Sequence, residues 1–271
     1  AKLKQTKNTY STDNYLMHFK VSALFNNGHS IKGVIEEAKK RDTIILAHTY
    51  QNPDIIDIAS VTGDSFFLSQ KAKDLKEKRV VMCGVRFMAE SVKILSPETE
   101  TILPVPSATC PMAEQIAPER IRRFKEENPT AQVVAYINTT AAIKAESDVC
   151  VTSSSAIKIV DKIDADKILF IPDQHLGSYV KKQLPHKNII LWDGYCPVHA
   201  QLTVDDVLEC KKAHPDAKFA VHPESPAAVV ELADMAGATS EIISYAKSQS
   251  GKVIIGTEKG VVDYLSTHEE N

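Results

Sequence analysis

Three stretches of this chain share one pattern, and a repeat of that length limits the fold more than any other feature. KRDTIILAHTYQNPDI from Lys40, NPTAQVVAYINTTAAI from Asn128 and HPDAKFAVHPESPAAV from His214 each carry an apolar run closed by polar residues. The run ends at His48 and Tyr50 in the first copy, at Tyr136 and Asn138 in the second, and at His222 and Glu224 in the third. Farther along, Ser65, Ser153 and Thr239 hold the same register, each read as the small hydroxyl residue that opens a helix. A period that contains strand, helix, strand and helix is too long for a helix-pair solenoid and implies small α/β units.

The expected fold is therefore α/β: three repeated small αβα sandwich domains with parallel sheets, related by pseudo-threefold symmetry around one central site. The boundaries are an N-terminal arm over 1–30, then repeats over 31–106, 107–192 and 193–271. Ser30 reads as the N-cap of the first helix. Ligands of open α/β sheets bind beyond the carboxyl ends of strands, so Tyr50, Asn138 and Glu224 are expected to share a pocket. The second strands, VVMCGVRF, ILFIPDQH and VIIGTEKG, put Arg86, Asp173 and Glu258 at equivalent places, where they are expected to form an ionic ring.

Composition narrows the function classes. At 43% hydrophobic and 25% charged residues, the chain can pack ordinary cores. A net charge of −3, with Lys and Arg interleaved among Asp and Glu as in PERIRRFKEEN, argues against a nucleic-acid partner. No membrane-spanning run or signal peptide is evident, which gives an expected cytoplasmic location.

The five cysteines show neither a C-x-x-C pair nor zinc-finger spacing. Cys83, Cys150 and Cys210 fall in apolar strands or a helix and read as packing residues. Cys110 in PVPSATCPMA and Cys196 in WDGYCPVHA obey the repeat, each in a loop after a strand and each followed by Pro, a placement that fits metal or cluster ligation. One further repeat length leads past Asn271, where a third cysteine is expected. Three such thiolates would hold three irons of a 4Fe-4S cluster and leave the fourth open as a Lewis acid. The alternative is a three-domain zinc or small-anion binding protein without such chemistry.

IILAHTYQ, GDS, GVRFMAESVKIL, ATCPMA, YINTTA, VTSSSA, PDQHLGSYV, GYCPVH and VHPES occur in the order found in quinolinate synthase, the iron-sulfur enzyme of NAD biosynthesis, and the chain resembles that family from about Thr43 onward. Thr49 stands where the family usually has Asn. The resemblance implies condensation of iminoaspartate with dihydroxyacetone phosphate to quinolinate, phosphate and two waters, and a functional link to an L-aspartate oxidase. It places Cys110 and Cys196 on two of three cluster-ligand positions. It places His48, Tyr50, Tyr136, Asn138, His222, Glu224, Ser65, Ser153, Thr239 and His199 on active-site positions. Ser65, Ser153 and Thr239 suit carboxylate and phosphate binding at helix N-termini. Glu224 suits a general base and Tyr50 a proton donor. His48 and His222 suit hydrogen bonds to substrate oxygens, and His199 suits a partner behind the Cys196 ligand.

Overall fold

In the computed structural model the described residues are 31–268, so the arm over 1–30 and Ser30 lie outside them. Among the described residues eleven strands form three sheets, and every strand pair is parallel. The first sheet contains β1 (Thr43–His48), β2 (Val61–Gly63), β3 (Arg79–Cys83) and β4 (Glu100–Ile102), in the order β2-β1-β3-β4. The second contains β5 (Gln132–Tyr136), β6 (Val149–Val151), β7 (Ile168–Ile171) and β8 (Ile189–Leu191), ordered β6-β5-β7-β8. The third is ordered β10-β9-β11, with β9 (Lys218–Val221), β10 (Met235–Ala236) and β11 (Val253–Gly256).

The sequence repeat reappears as repeated hydrogen bonds. Ser60 N–H donates to the Ile45 carbonyl at 2.8 Å, Asp148 N–H to Val133 at 2.9 Å, and Asp234 N–H to Phe219 at 2.8 Å. In return Ser60 Oγ accepts from Ile45 N–H at 3.2 Å, Asp148 Oδ2 from Val133 at 2.7 Å, and Asp234 Oδ2 from Phe219 at 2.8 Å. The same side-chain clip sets the register between the first and second strands of each sheet.

Parallel sheets covered on both faces need apolar residues on both sides of their central strands. In β1, Leu46 packs with Val80, Met82 and Phe87 on one face, while Ile45 and Ala47 pack with Ile55 and Ile58 on the other. In β5, Val134 and Tyr136 face Phe170 and Leu176, and Val133 and Ala135 face Ile121 and Ile143. Cys83 is buried as expected. Cys150 is exposed, contrary to the packing expectation, because β6 is an edge strand and its alternation turns Val151 inward and Cys150 out.

Two of the three expected helix starts hold and one does not. Ser65 and Thr239 are the first residues of the helices Ser65–Lys73 and Thr239–Ser248. Ser153 lies in a turn ahead of the helix Ala156–Asp161. Asp64, not Ser65, is the N-cap, its carboxylate accepting from Phe67 N–H at 2.8 Å.

Gly260 lets the helix Lys259–His268 lie directly on the chain that follows β1. A Cβ at this position would meet the Tyr50 carbonyl oxygen at 2.4 Å and its Cα at 2.5 Å, backbone atoms that cannot rotate away. We expect Gly260→Ala to cost about 1–3 kcal/mol through overpacking and to lower Tm. Gly251→Ala, with nothing within 4 Å of the new methyl, should stay within about 0.5 kcal/mol of the parent. Equal Tm values for the two variants would show that the helix does not rest on Tyr50.

Candidate active site

The residues at the carboxyl ends of β1, β5 and β9 line one cavity, with about 560 Å³ of empty space that includes its opening to solvent. All ten residues expected to bind or transform substrate line it. His48, Tyr50 and Ser65 come from the first sheet and its connections. Tyr136, Asn138 and Ser153 come from the second, and His199, His222, Glu224 and Thr239 complete the wall. Asp64, Thr152, Thr257 and Glu258 also line it, unforeseen as site residues. A signal for Glu258 existed, because it sits at the repeated strand end.

Cys110 and Cys196 line an adjoining cavity with about 800 Å³ of empty space. Tyr50, Met88, Asn138, Glu224 and Glu258 line both cavities, so the two spaces share a wall. Cys83, Cys150 and Cys210 line neither.

Arg86 and Asp173 do not meet Glu258 in an ionic ring; each secures a cysteine loop. Arg86 Nη2–H donates to the Pro106 carbonyl at 2.7 Å, and its backbone N–H donates to Ala108 at 2.8 Å, just before Cys110. Asp173 is fully buried and accepts from Leu176 N–H at 2.7 Å and Cys196 N–H at 2.9 Å. Gly194 completes the second anchor, since a Cβ there would lie 2.4 Å from the Pro172 carbonyl oxygen.

Glu224 is the electrostatic centre of the site. Only 3% of the residue is exposed. His199 Nδ1 approaches Glu224 Oε2 at 2.9 Å, and the Tyr136 hydroxyl donates to the same carboxylate. Burial raises its proton affinity, yet His222, His199 and the Tyr136 hydroxyl outweigh it and bring the pKa down to about 2. His199 shows the converse balance: burial lowers its pKa, and Glu224, Glu258 and Asp173 raise it above the ordinary value. Its Nδ1 is also 3.2 Å from Cys196 Sγ, its Nε2 is 2.9 Å from Thr257 Oγ1, and its ring stacks on His222 at 4.9 Å.

His48 and His222 are neutral and of known tautomer. Tyr50 N–H donates to His48 Nδ1 and Glu224 N–H to His222 Nδ1, both at 3.3 Å. A backbone N–H can only donate, so each neutral ring carries its proton on Nε2. Burial is the main force lowering both pKa values to about 4, offset in part by Asp64 and Glu224.

The phenol of Tyr50 is pushed well up by burial and then by Glu258, Cys110 and Cys196. It stays protonated, its hydroxyl 3.7 Å from Met88 Sδ. Burial likewise pushes the Cys110 thiol to about 12 and raises Cys196, with Glu224 adding to both. Such thiols ionise when a metal supplies the missing positive charge. Asn138, which lines both cavities, has its Oδ1 buried without a hydrogen-bond partner among the described residues.

No helix among the described residues is long and apolar enough to cross a membrane. The family model described as quinolinate synthetase A protein matches residues 32–271. A quinolinate synthase of Caldicellulosiruptor saccharolyticus is 50% identical over 86% of this chain and 77% of its own length. Those of Aquifex aeolicus and Clostridioides difficile are 48% and 47% identical, covering 85% and 88% of this chain and 72% and 79% of theirs. With a family match that takes in all three sheets and both cavities, the chain belongs to the quinolinate synthetase A family, the quinolinate synthases.

Proposed function

We propose that the joined cavities are where iminoaspartate and dihydroxyacetone phosphate condense to quinolinate, phosphate and two waters. The observation that carries this reading is the convergence of all ten expected substrate residues on one cavity around a single buried carboxylate. We further read the chain as three repeated α/β units over 31–106, 107–192 and 193–271 about one pseudo-threefold axis. The recurring strand order and the recurring Ser60, Asp148 and Asp234 clips support it. A cytoplasmic enzyme supplied by an L-aspartate oxidase is the setting that suits a reactive imine substrate.

The substrates carry two carboxylates and a phosphate. The N-termini of the helices Ser65–Lys73 and Thr239–Ser248, with their hydroxyls, are the anion-binding walls. Ser153 contributes its hydroxyl from a turn. Neutral His48 and His222 donate from Nε2 to substrate oxygens, and Asn138 Oδ1 accepts from a substrate amine or hydroxyl.

Glu224 is too well supplied with donors to be a strong base in the resting site. Its pKa of about 2 makes it the fixed negative charge that orients Tyr136 and His199. It takes up a proton once substrate displaces one of these donors. Tyr50, held protonated by burial and by Glu258, delivers a proton to a departing oxygen. Cys110 and Cys196 would hold two irons of a 4Fe-4S cluster, and their convergence on the adjoining cavity fits that role. When bound, the cluster supplies a Lewis acid for substrate oxygens.

Three results test this reading. In a quinolinate-formation assay, Tyr50→Phe and Glu224→Gln should each lower kcat about 10²–10⁴-fold; either variant keeping a third of parental kcat would remove that residue from proton handling. Iron per chain after anaerobic reconstitution should approach about four and fall sharply in Cys110→Ala and in Cys196→Ala; iron indifferent to both changes would sink the ligand assignment. The third result concerns acid stability. An unfolded imidazole titrates near 6.5 and these two near 4, so the unfolded state binds the extra protons between those values. Stability should therefore be full above pH 6.5 and fall as pH drops toward 4, by on the order of 3 kcal/mol per ring. His48→Gln should flatten that acid limb, and an unaltered limb would show that His48 is solvated.

A further inference from the structure

We propose that Cys196, His199 and Glu224 form a mononuclear metal site, distinct from a cluster, which takes one divalent transition ion such as Zn²⁺. The three ligand atoms lie within 4.8 Å of one another, and all three residues are buried. Cys196 Sγ is 3.2 Å from His199 Nδ1, and Nδ1 is 2.9 Å from Glu224 Oε2. Tetrahedral zinc with sulfur at about 2.3 Å and nitrogen or oxygen at about 2.0–2.2 Å sets its ligand atoms roughly 3.3–3.6 Å apart. An outward shift of a few tenths of an ångström at the two contacts of His199 Nδ1, with sulfur and carboxylate oxygen settling about the ion, converts the hydrogen-bonded set into a coordination sphere.

A second observation points the same way. Thr257 Oγ1 lies 2.9 Å from His199 Nε2. When this hydroxyl accepts the Nε2 proton, the Nδ1 lone pair is directed at the sulfur and carboxylate, an outer hydrogen bond typical of metal-bound histidine. Charge balances as well: one thiolate and one carboxylate neutralise a divalent ion in a buried site. The ion replaces the thiol proton and the proton shared between ring and carboxylate, and both protons leave to solvent. Cys196 and Glu224 border one cavity while His199 and Glu224 border the other, so both cavities give water or substrate a route to the ligand residues. Thiolate with imidazole favours zinc or cobalt over magnesium or calcium.

The site shares Cys196 with the proposed cluster, so the two metals exclude each other. A chain loaded with zinc has a ligand of the cluster occupied and its central carboxylate tied up.

The test uses Co²⁺ alone as probe, added anaerobically to the full reduced chain after chelator treatment. A sulfur-to-cobalt charge-transfer band should saturate at one ion per chain. It should vanish in Cys196→Ser, bind roughly tenfold more weakly or worse in His199→Gln and Glu224→Gln, and persist in Cys110→Ala. Thr257→Val should weaken binding about 10–100-fold. A band that requires Cys110, or one unchanged by the His199 and Glu224 substitutions, overturns the proposal. Should the variants fail to fold, the parent chain decides: Zn²⁺ should slow alkylation of Cys196 and leave that of Cys110 unchanged, and protection of both or neither overturns it. Loss of iron binding with the cobalt band intact would count against the cluster reading only, and the reverse against this site only.

Discussion

A carboxylate as deeply buried as Glu224 stays ionised only where donors converge on it, and the rest of this site is arranged to supply them. Burial alone would hold the group neutral. Tyr136 donates from the end of β5 and His199 from the loop after β8, while His222 accepts Glu224 N–H at Nδ1. The donors follow strands of the second sheet and the carboxylate follows β9 of the third, so the charge is tenable only while the sheets present their carboxyl ends to a common space. The same requirement brings His48 and Tyr50 from β1 to face them. Fold and electrostatics thus constrain each other: loosening the packing between sheets would withdraw the donors and let the carboxylate take up a proton.

Around this charge the site relies on neutral groups. His48 and His222 are held uncharged, each tautomer set by a backbone N–H two residues along the chain. Cationic rings in these positions would bind carboxylates and phosphate more strongly, but equally in ground and transition states, which does not speed a reaction. The orphaned Asn138 oxygen fits the same picture, since an acceptor left unpaired inside a protein costs about 1–3 kcal/mol until a ligand fills it.

Much of this was legible along the chain because strand ends are a one-dimensional property. The spacing of His48, Tyr136 and His222 predicted which residues would meet at one cavity. What periodicity could not convey was pairing across the third dimension. Glu224 looks like a free base in the sequence, and only the approach of His199 and Tyr136 shows why its proton affinity is low. Cys150 looks apolar until β6 is seen to be an edge strand. Ser153 matches Ser65 in register, yet its helix starts three residues later, at Ala156.

Arg86, Asp173 and Glu258 show how similar strand ends yield an asymmetric site. All three follow equivalent strands, and a strictly symmetric chain would use them alike. Arg86 donates to two carbonyls of the Cys110 loop, whereas Asp173 accepts the N–H of Cys196 itself; opposite charges thereby do the same work, because a loop offers both donors and acceptors to whatever side chain reaches it. Glu258 instead borders both cavities, where its carboxylate raises the proton affinity of Tyr50 and of the two thiols. Repetition therefore fixes where a side chain stands, and its chemical type decides whether that place supports a loop or faces the substrate. Only the second choice has to break the symmetry, since a reaction between two different substrates needs unlike walls.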